Sequence, residues 1–250
     1  MGVFYFTRRL ILKLACVLLA AVLLIGGGYY VLKKERYQPT LAPIYQGDQG
    51  RKEIALTVNV YWGEEYLPQM LKIMEEEKVK ATFFIGGMWA EKFPDLLKEI
   101  AQQGHDIGSH GYSHPHPDHL NKAGNLREIK RSEKIIKEII GKDIKLFAPP
   151  YGERGNSVLA ATEEAGYQLI LWSIDTIDWQ RPAPDTIVQR VISKAHNGAI
   201  VLMHPTAPTV RALPTIIKEL KGRGYEFITV TELLENLPQE EEGQLTEETG

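Results

Sequence analysis

Between Glu53 and Thr229 the chain repeats one pattern, a short apolar run rich in β-branched residues followed by a longer stretch with apolar residues at helical spacing. The spacing predicts a strand over Glu53 to Val60 and a helix over Glu65 to Glu77, then a strand over Lys80 to Ile85 and a helix over Pro94 to Gln103. A long polar-faced helix follows from about Pro117 to Ile140. Strands are expected near Lys145 to Phe147, Gln168 to Trp172, Ala199 to Met203 and Glu226 to Thr229, with helices at Asn156 to Glu164, Pro184 to Ala195 and Ala212 to Gly222. A strand that must cross over a helix before the next strand pairs in parallel, so this is an α/β chain whose sheet is covered by helices. Doubly wound sheets and (β/α) barrels both satisfy the alternation, and both collect their chemistry at the carboxyl ends of the strands. No Gly-x-Gly-x-x-Gly or Gly-x-x-x-x-Gly-Lys-Ser/Thr segment occurs, which removes the support for a dinucleotide or phosphate-loop reading.

The ends differ from this body. Leu14 to Leu32 carry no charge and are closed by Lys33 and Lys34. As a helix that run would be about 28 Å long, close to the hydrocarbon thickness of a bilayer. Residues 1–36 are therefore expected to be a single transmembrane anchor, in preference to a cleaved signal peptide for which Gly26 to Gly28 could serve as the site, with Arg8 and Arg9 on the inner side and the folded body outside the cytoplasm. Cys16 lies within that run and is read as an apolar filler. Residues 37–50, with Pro39, Pro43, Gly47 and Gly50, read as a linker. The folded domain is then expected over 51–237, and residues 238–250, acidic and without apolar periodicity, as a disordered tail. The net charge of −3 is distributed as +5 over residues 1–36, −5 over residues 239–250, and near neutrality between them. No basic face is left for nucleic acid. A lone cysteine can form neither an internal disulfide nor a cysteine zinc site, so transition-metal chemistry falls to histidine.

Five of the seven histidines, His105, His110, His114, His116 and His119, fall within fifteen residues. His116 and His119 read as water-facing bystanders. His110 and His114 have the i, i+4 spacing that brings two imidazoles to one side of a turn, which is half of a hydrolytic zinc site. Three further segments end predicted strands. Phe147 to Gly152 (FAPPYG) combines a rigid Pro149-Pro150 bend with Gly152, suited to presenting a backbone N–H to an oxyanion. Trp172 to Trp179 (WSIDTIDW) offers Asp175, Asp178 and an indole wall. Ile200 to Pro205 (IVLMHP) ends on His204, which beside a buried carboxylate suits a general acid.

In order, LTVNVYWG, SHGYSH, FAPPYG, WSIDTIDW and IVLMH resemble the five motifs of the polysaccharide deacetylase family, the NodB-homology or carbohydrate esterase family 4 domain, over about Ile54 to Leu234. KATFFIGG (Lys80 to Gly87) and GHDIGSH (Gly104 to His110) are similar to that family too. The tryptophan-glycine ending of the first motif resembles a membrane-anchored, deacetylase-like subgroup of spore-forming bacteria. The resemblance implies a distorted (β/α) barrel and metal-assisted removal of N-acetyl groups from amino sugars of peptidoglycan or chitin-like polymers. It places His110 and His114 as metal ligands and Tyr151 as an oxyanion-holding backbone N–H with Pro149 beside it. Trp179 and Leu202 become walls of the acetyl groove, and His204 the catalytic acid tuned by Asp178.

Three positions depart from the family pattern. Aligned with Thr-Phe-Asp-Asp, the first motif puts Asn59 at the general base and Val60 at the third metal ligand, while FAPPYG puts Ala148 where an arginine orients the base. An amide cannot accept a proton from water as a carboxylate does, and general-base help is worth about 10^2 to 10^4 in rate. Val60 cannot coordinate at all, so a divalent metal such as zinc is expected to bind weakly or not at all. Two readings follow: a hydrolase of cell-wall amino sugars with a substitute base, Asp175 being the first candidate, or an inactive sugar-binding or structural pseudoenzyme of the envelope or spore.

Overall fold

The computed structural model describes residues 42–238. One parallel sheet runs through them, formed by β1 (Glu53–Val60), β2 (Thr82–Ile85), β3 (Asp106–Ser109), β4 (Leu146–Phe147), β5 (Gln168–Leu169), β6 (Ile174–Asp175), β7 (Ala199–Met203) and β8 (Glu226–Phe227). Its order is β5-β4-β3-β2-β1-β7-β6, with β8 also on β1. Among the described residues eight helices cover it: α1 (Leu67–Glu76), α2 (Gly87–Lys92), α3 (Pro94–Gln102), α4 (Lys122–Ile140), α5 (Asn156–Ala165), α6 (Pro184–Ile192), α7 (Ala207–Gly222) and α8 (Val230–Glu235). The α/β class and the barrel-type arrangement agree with expectation, but β5 and β6 are unpaired with each other, so the barrel is open along that seam.

The seam explains two departures. The strand expected over Gln168 to Trp172 stops at Leu169 as β5, and a further strand, β6, follows at Ile174, because the chain changes partner from β4 to β7 between them. Part of the expected linker belongs to the fold: Ile44 pairs with Ile170, and Gln46 with Ala199. Backbone bonds from Ile44 N to the Leu169 carbonyl and from Gly47 N to the Gly198 carbonyl fix this segment. The transmembrane anchor expected over residues 1–36 and most of the tail expected over residues 238–250 lie outside the described residues. Among the described residues no helix is long and apolar enough to cross a membrane.

Two helix starts differ from expectation. Pro117 opens a short 3-10 turn, and α4 begins only at Lys122, where the Asn121 side chain accepts from Gly124 N. Conversely, α7 begins at Ala207, five residues before the expected Ala212. Thr206 caps it and Pro208 sits in the first turn, where its missing N–H costs nothing.

β1 is buried along its whole length between β2 and β7. Ile54, Leu56, Val58 and Val60 pack toward the helices with Leu67, Met70, Leu71, Leu213 and Ile217. Residues of a strand alternate faces, so Ala55, Thr57 and Asn59 point to the inside of the curled sheet. Val60 registers with Ile85, Ile85 with Ser109, and Ser109 with Phe147, while Val58 registers with Met203. The carboxyl ends of β1, β3, β4 and β7 therefore lie at one level, and the next residue of each chain enters a common groove.

Candidate active site

Asn59, His110, Ala148 and His204 occupy that level, as expected for site residues that follow parallel strands. The loop after β3 holds both candidate ligands. His110 is buried, and its Nδ1 lies 2.7 Å from the Ala148 carbonyl oxygen. A carbonyl can only accept, so Nδ1 carries the proton and Nε2 keeps its lone pair. Burial and the neighbouring His114 push the His110 pKa down to about 3, and burial also lowers that of His114. Both rings are neutral at pH 7. Their centroids are 5.0 Å apart, so the i, i+4 spacing does bring them together.

The sequence offered no signal for what holds this loop. Glu128, on α4, accepts from Tyr112 N at 2.9 Å, Ser113 N at 2.7 Å and Ser113 Oγ at 2.9 Å. His116, expected to be a bystander, lies parallel to Tyr151 at 3.9 Å and places its Nδ1 2.7 Å from Glu153. It therefore belongs to the wall of the site. His119 is exposed, 5.1 Å from the His116 ring.

The opposite side is built around a fully buried carboxylate. Asp178 accepts from His204 Nδ1 at 2.8 Å on one oxygen, and from His204 N at 2.7 Å and Thr209 Oγ1 at 2.6 Å on the other. Thr209 comes from the first turn of α7 and was invisible to motif reasoning. This arrangement orients the imidazole with Nε2 free for a leaving group, the geometry of a general acid. Leu202 is buried beneath it, and Trp179 is 54% exposed beside it. Asp175, the candidate substitute base, accepts from Ile177 N at 2.7 Å and so closes a turn. Arg190 Nη1 donates to the Thr176 carbonyl at 2.7 Å and secures the same loop.

His114, Tyr151 and Ile177 all have positive φ, at 57°, 60° and 51°. Side chains with a Cβ disfavour that region, and these three of the five such non-glycine residues among the described residues lie in loops of the groove. Tyr151 is 57% exposed, in a 3-10 turn after Pro149. Gly152 N donates to the Pro149 carbonyl at 3.1 Å, so its N–H serves the turn and not an oxyanion.

The base-and-metal side is different in kind. Asn59 is buried, and its Oδ1 has no hydrogen-bond partner among the described residues. Val60 is fully buried in the helix-facing core, turned away from Asn59. Ala148 is buried and brings no charge. Among the described residues no group of three His, Cys, Asp or Glu side chains could hold a metal. Two neutral imidazoles with a core valine in place of the third ligand do not fit a three-ligand hydrolytic zinc site.

A family model described as polysaccharide deacetylase matches residues 46–170. An uncharacterized Bacillus subtilis protein, YlxY, is 42% identical over 80% of this chain, which spans 62% of that relative's length. A Bacillus cereus peptidoglycan-N-acetylglucosamine deacetylase is 35% identical, with 76% of this chain and 71% of the relative covered. Among solved structures, a carbohydrate esterase family 4 pseudoenzyme from Bacillus anthracis is 40% identical with a TM-score of 0.76, covering 78% of this chain and 69% of that one. A mutant of the same pseudoenzyme with restored enzymatic activity matches at 39% identity and a TM-score of 0.76, covering 78% of this chain and 72% of that one.

Proposed function

Since the chain belongs to the polysaccharide deacetylase family, carbohydrate esterase family 4, we propose that it binds N-acetyl-amino-sugar chains of the cell wall in the family's groove, with the metal-and-base half of the chemistry dismantled. One observation carries this reading: Asn59 faces the groove as an amide while Val60 faces the core, so neither can do what a pair of aspartates would do there. The groove keeps Trp179, Tyr151 and Leu202, and aromatic and apolar walls bind sugar faces without a metal. A pseudoenzyme of the same family stands among the structural neighbours, which supports a family groove without the family's catalysis. Titration with chitin-type and peptidoglycan oligomers, followed by tryptophan fluorescence, tests it. A saturable signal lost in Trp179→Ala is expected, and silence with every glycan overturns it.

The intact His204–Asp178–Thr209 network favours a second reading, hydrolysis with a substitute base, water chain or substrate assistance. Acetate release by the wild type that disappears in His204→Ala would establish it. We also propose that residues 14–32 anchor the chain in the membrane with the groove outside the cytoplasm, from their charge-free apolar run. An alkaline phosphatase fusion placed after residue 50 is expected to be active, and an inactive one overturns this topology.

A further inference from the structure

Tyr61 and Trp62 directly follow β1, are half-buried, and lie against different histidines of the groove. Tyr61 stacks on His114 with centroids 4.7 Å apart, and its hydroxyl donates to the Ser113 carbonyl at 2.9 Å. Trp62 stacks on His204, 5.7 Å between centroids and 6° between planes. Two glycines make this placement possible. A Cβ on Gly86 would lie 2.5 Å from Tyr61 Cδ2, and one on Gly63 would lie 2.2 Å from the Pro205 carbonyl oxygen. Gly63 also has φ +84°, a conformation that L side chains resist. The turn that carries Trp62 is thus fitted closely to the segment that carries His204.

An indole has two faces, and only one of them rests on the imidazole. A partly exposed indole plane with a negative face is the complement of the C–H face of a pyranose ring. Trp179, next in sequence to the carboxylate that holds His204, leaves a second indole exposed near the same pair. We propose that Trp62 is a sugar-stacking residue, whose indole receives the C–H face of an N-acetyl-amino-sugar ring at the acid end of the groove. This rests on the glycan-binding reading above and adds to it a contact made by the first motif itself, at the strand end where the base and third ligand are missing.

The test uses the full chain in mild detergent, titrated with the N-acetylglucosamine tetramer and followed by nuclear magnetic resonance of the indole N–H groups. The Trp62 signal is expected to shift on titration, and Trp62→Ala to bind at least about tenfold more weakly, as for a central aromatic anchor. Trp62→Phe keeps an aromatic face and is expected within about threefold of wild type, whereas Trp62→Leu keeps apolar bulk only and is expected to fall with alanine. If Trp62→Ala does not fold, the comparison of Phe with Leu decides. Equal binding by the wild type and the alanine or leucine variant, with Trp179→Ala inactive, overturns the role of Trp62 and leaves the glycan-binding reading standing. Absence of any binding by the wild type overturns both.

Discussion

The two sides of the groove differ in how their polar atoms are satisfied. On the acid side both oxygens of the fully buried Asp178 are occupied, by His204 and Thr209. On the base side the buried Asn59 oxygen has no partner among the described residues and the flanking positions are apolar, Val60 in the core and Ala148 on the sheet's inner face. A half-satisfied buried charge network is costlier than none, so losing the carboxylates and their arginine together is compatible with a stable sheet. Asp178 cannot be lost as cheaply, because it joins the loop after β6 to the start of α7. The acid side can thus persist for the fold, whatever it does for catalysis.

The largest effect is expected from rebuilding the weaker side. Asn59→Asp with Val60→Asp and Ala148→Arg should raise metal-dependent acetate release by about 10^2 to 10^4, the worth of a general base. Elemental analysis after chelator dialysis should find far less than one zinc per chain in the wild type, and close to one in the rebuilt variant only if the end of β1 turns residue 60 from the core into the groove. Stoichiometric zinc in the wild type would erase the contrast between the two sides. Val60 faces the core, so the valine change is the one expected to cost stability, by about 3 kcal/mol unless metal is bound.

On the acid side, Asp178→Asn keeps the shape but cannot accept from both His204 N–H groups and Thr209 with a full charge. A loss of about 3 kcal/mol in urea unfolding is expected. A change below about 1 kcal/mol would show that the network does little for the fold.

A third measurement concerns β3, which has a buried histidine just beyond each end. His105 Nδ1 accepts from Ala81 N at 3.2 Å, and burial lowers its pKa to about 4. The folded pKa lies below the ordinary 6.5, so the unfolded chain takes up the proton first. Stability should be complete above pH 6.5 and decline as pH falls toward 4, with buried His105 contributing on the order of 2 to 3 kcal/mol. His110 adds to the same slope. In His105→Asn, which keeps an acceptor for Ala81, the pH dependence of unfolding should flatten; an unchanged slope assigns it elsewhere.

The smallest effect is expected at Asp175, whose carboxylate closes the turn to Ile177. Asp175→Asn retains an acceptor there and should alter glycan binding, and any acetate release, by less than about threefold. A larger loss of acetate release with folding intact would restore Asp175 as a substitute base.

Much of this was legible in one dimension. Strand and helix alternate because apolar residues recur with periods of two and 3.6, and that periodicity alone required parallel strands and placed Asp175 and His204 after them, whereas β3, the four-residue strand that precedes His110, was not among the expected strands. The i, i+4 pair His110 and His114 and the acid pair His204 and Asp178 were also identifiable from motif order. The changes at Asn59, Val60 and Ala148 needed only their chemistry. Long-range contacts were not legible, since no local period encodes them. Glu128 reaches the histidine loop from α4, Thr209 reaches Asp178 from α7, and Ile44 closes onto the seam from a stretch with no pattern of its own. Strand alternation puts Asn59 and Val60 on opposite faces, but tertiary packing alone decided which face is the groove and which the core, and that Tyr61 and Trp62 settle on two different imidazoles. Side-chain identity sets what a residue can donate or accept, but only the packed sheet sets which groups lie close enough to use it.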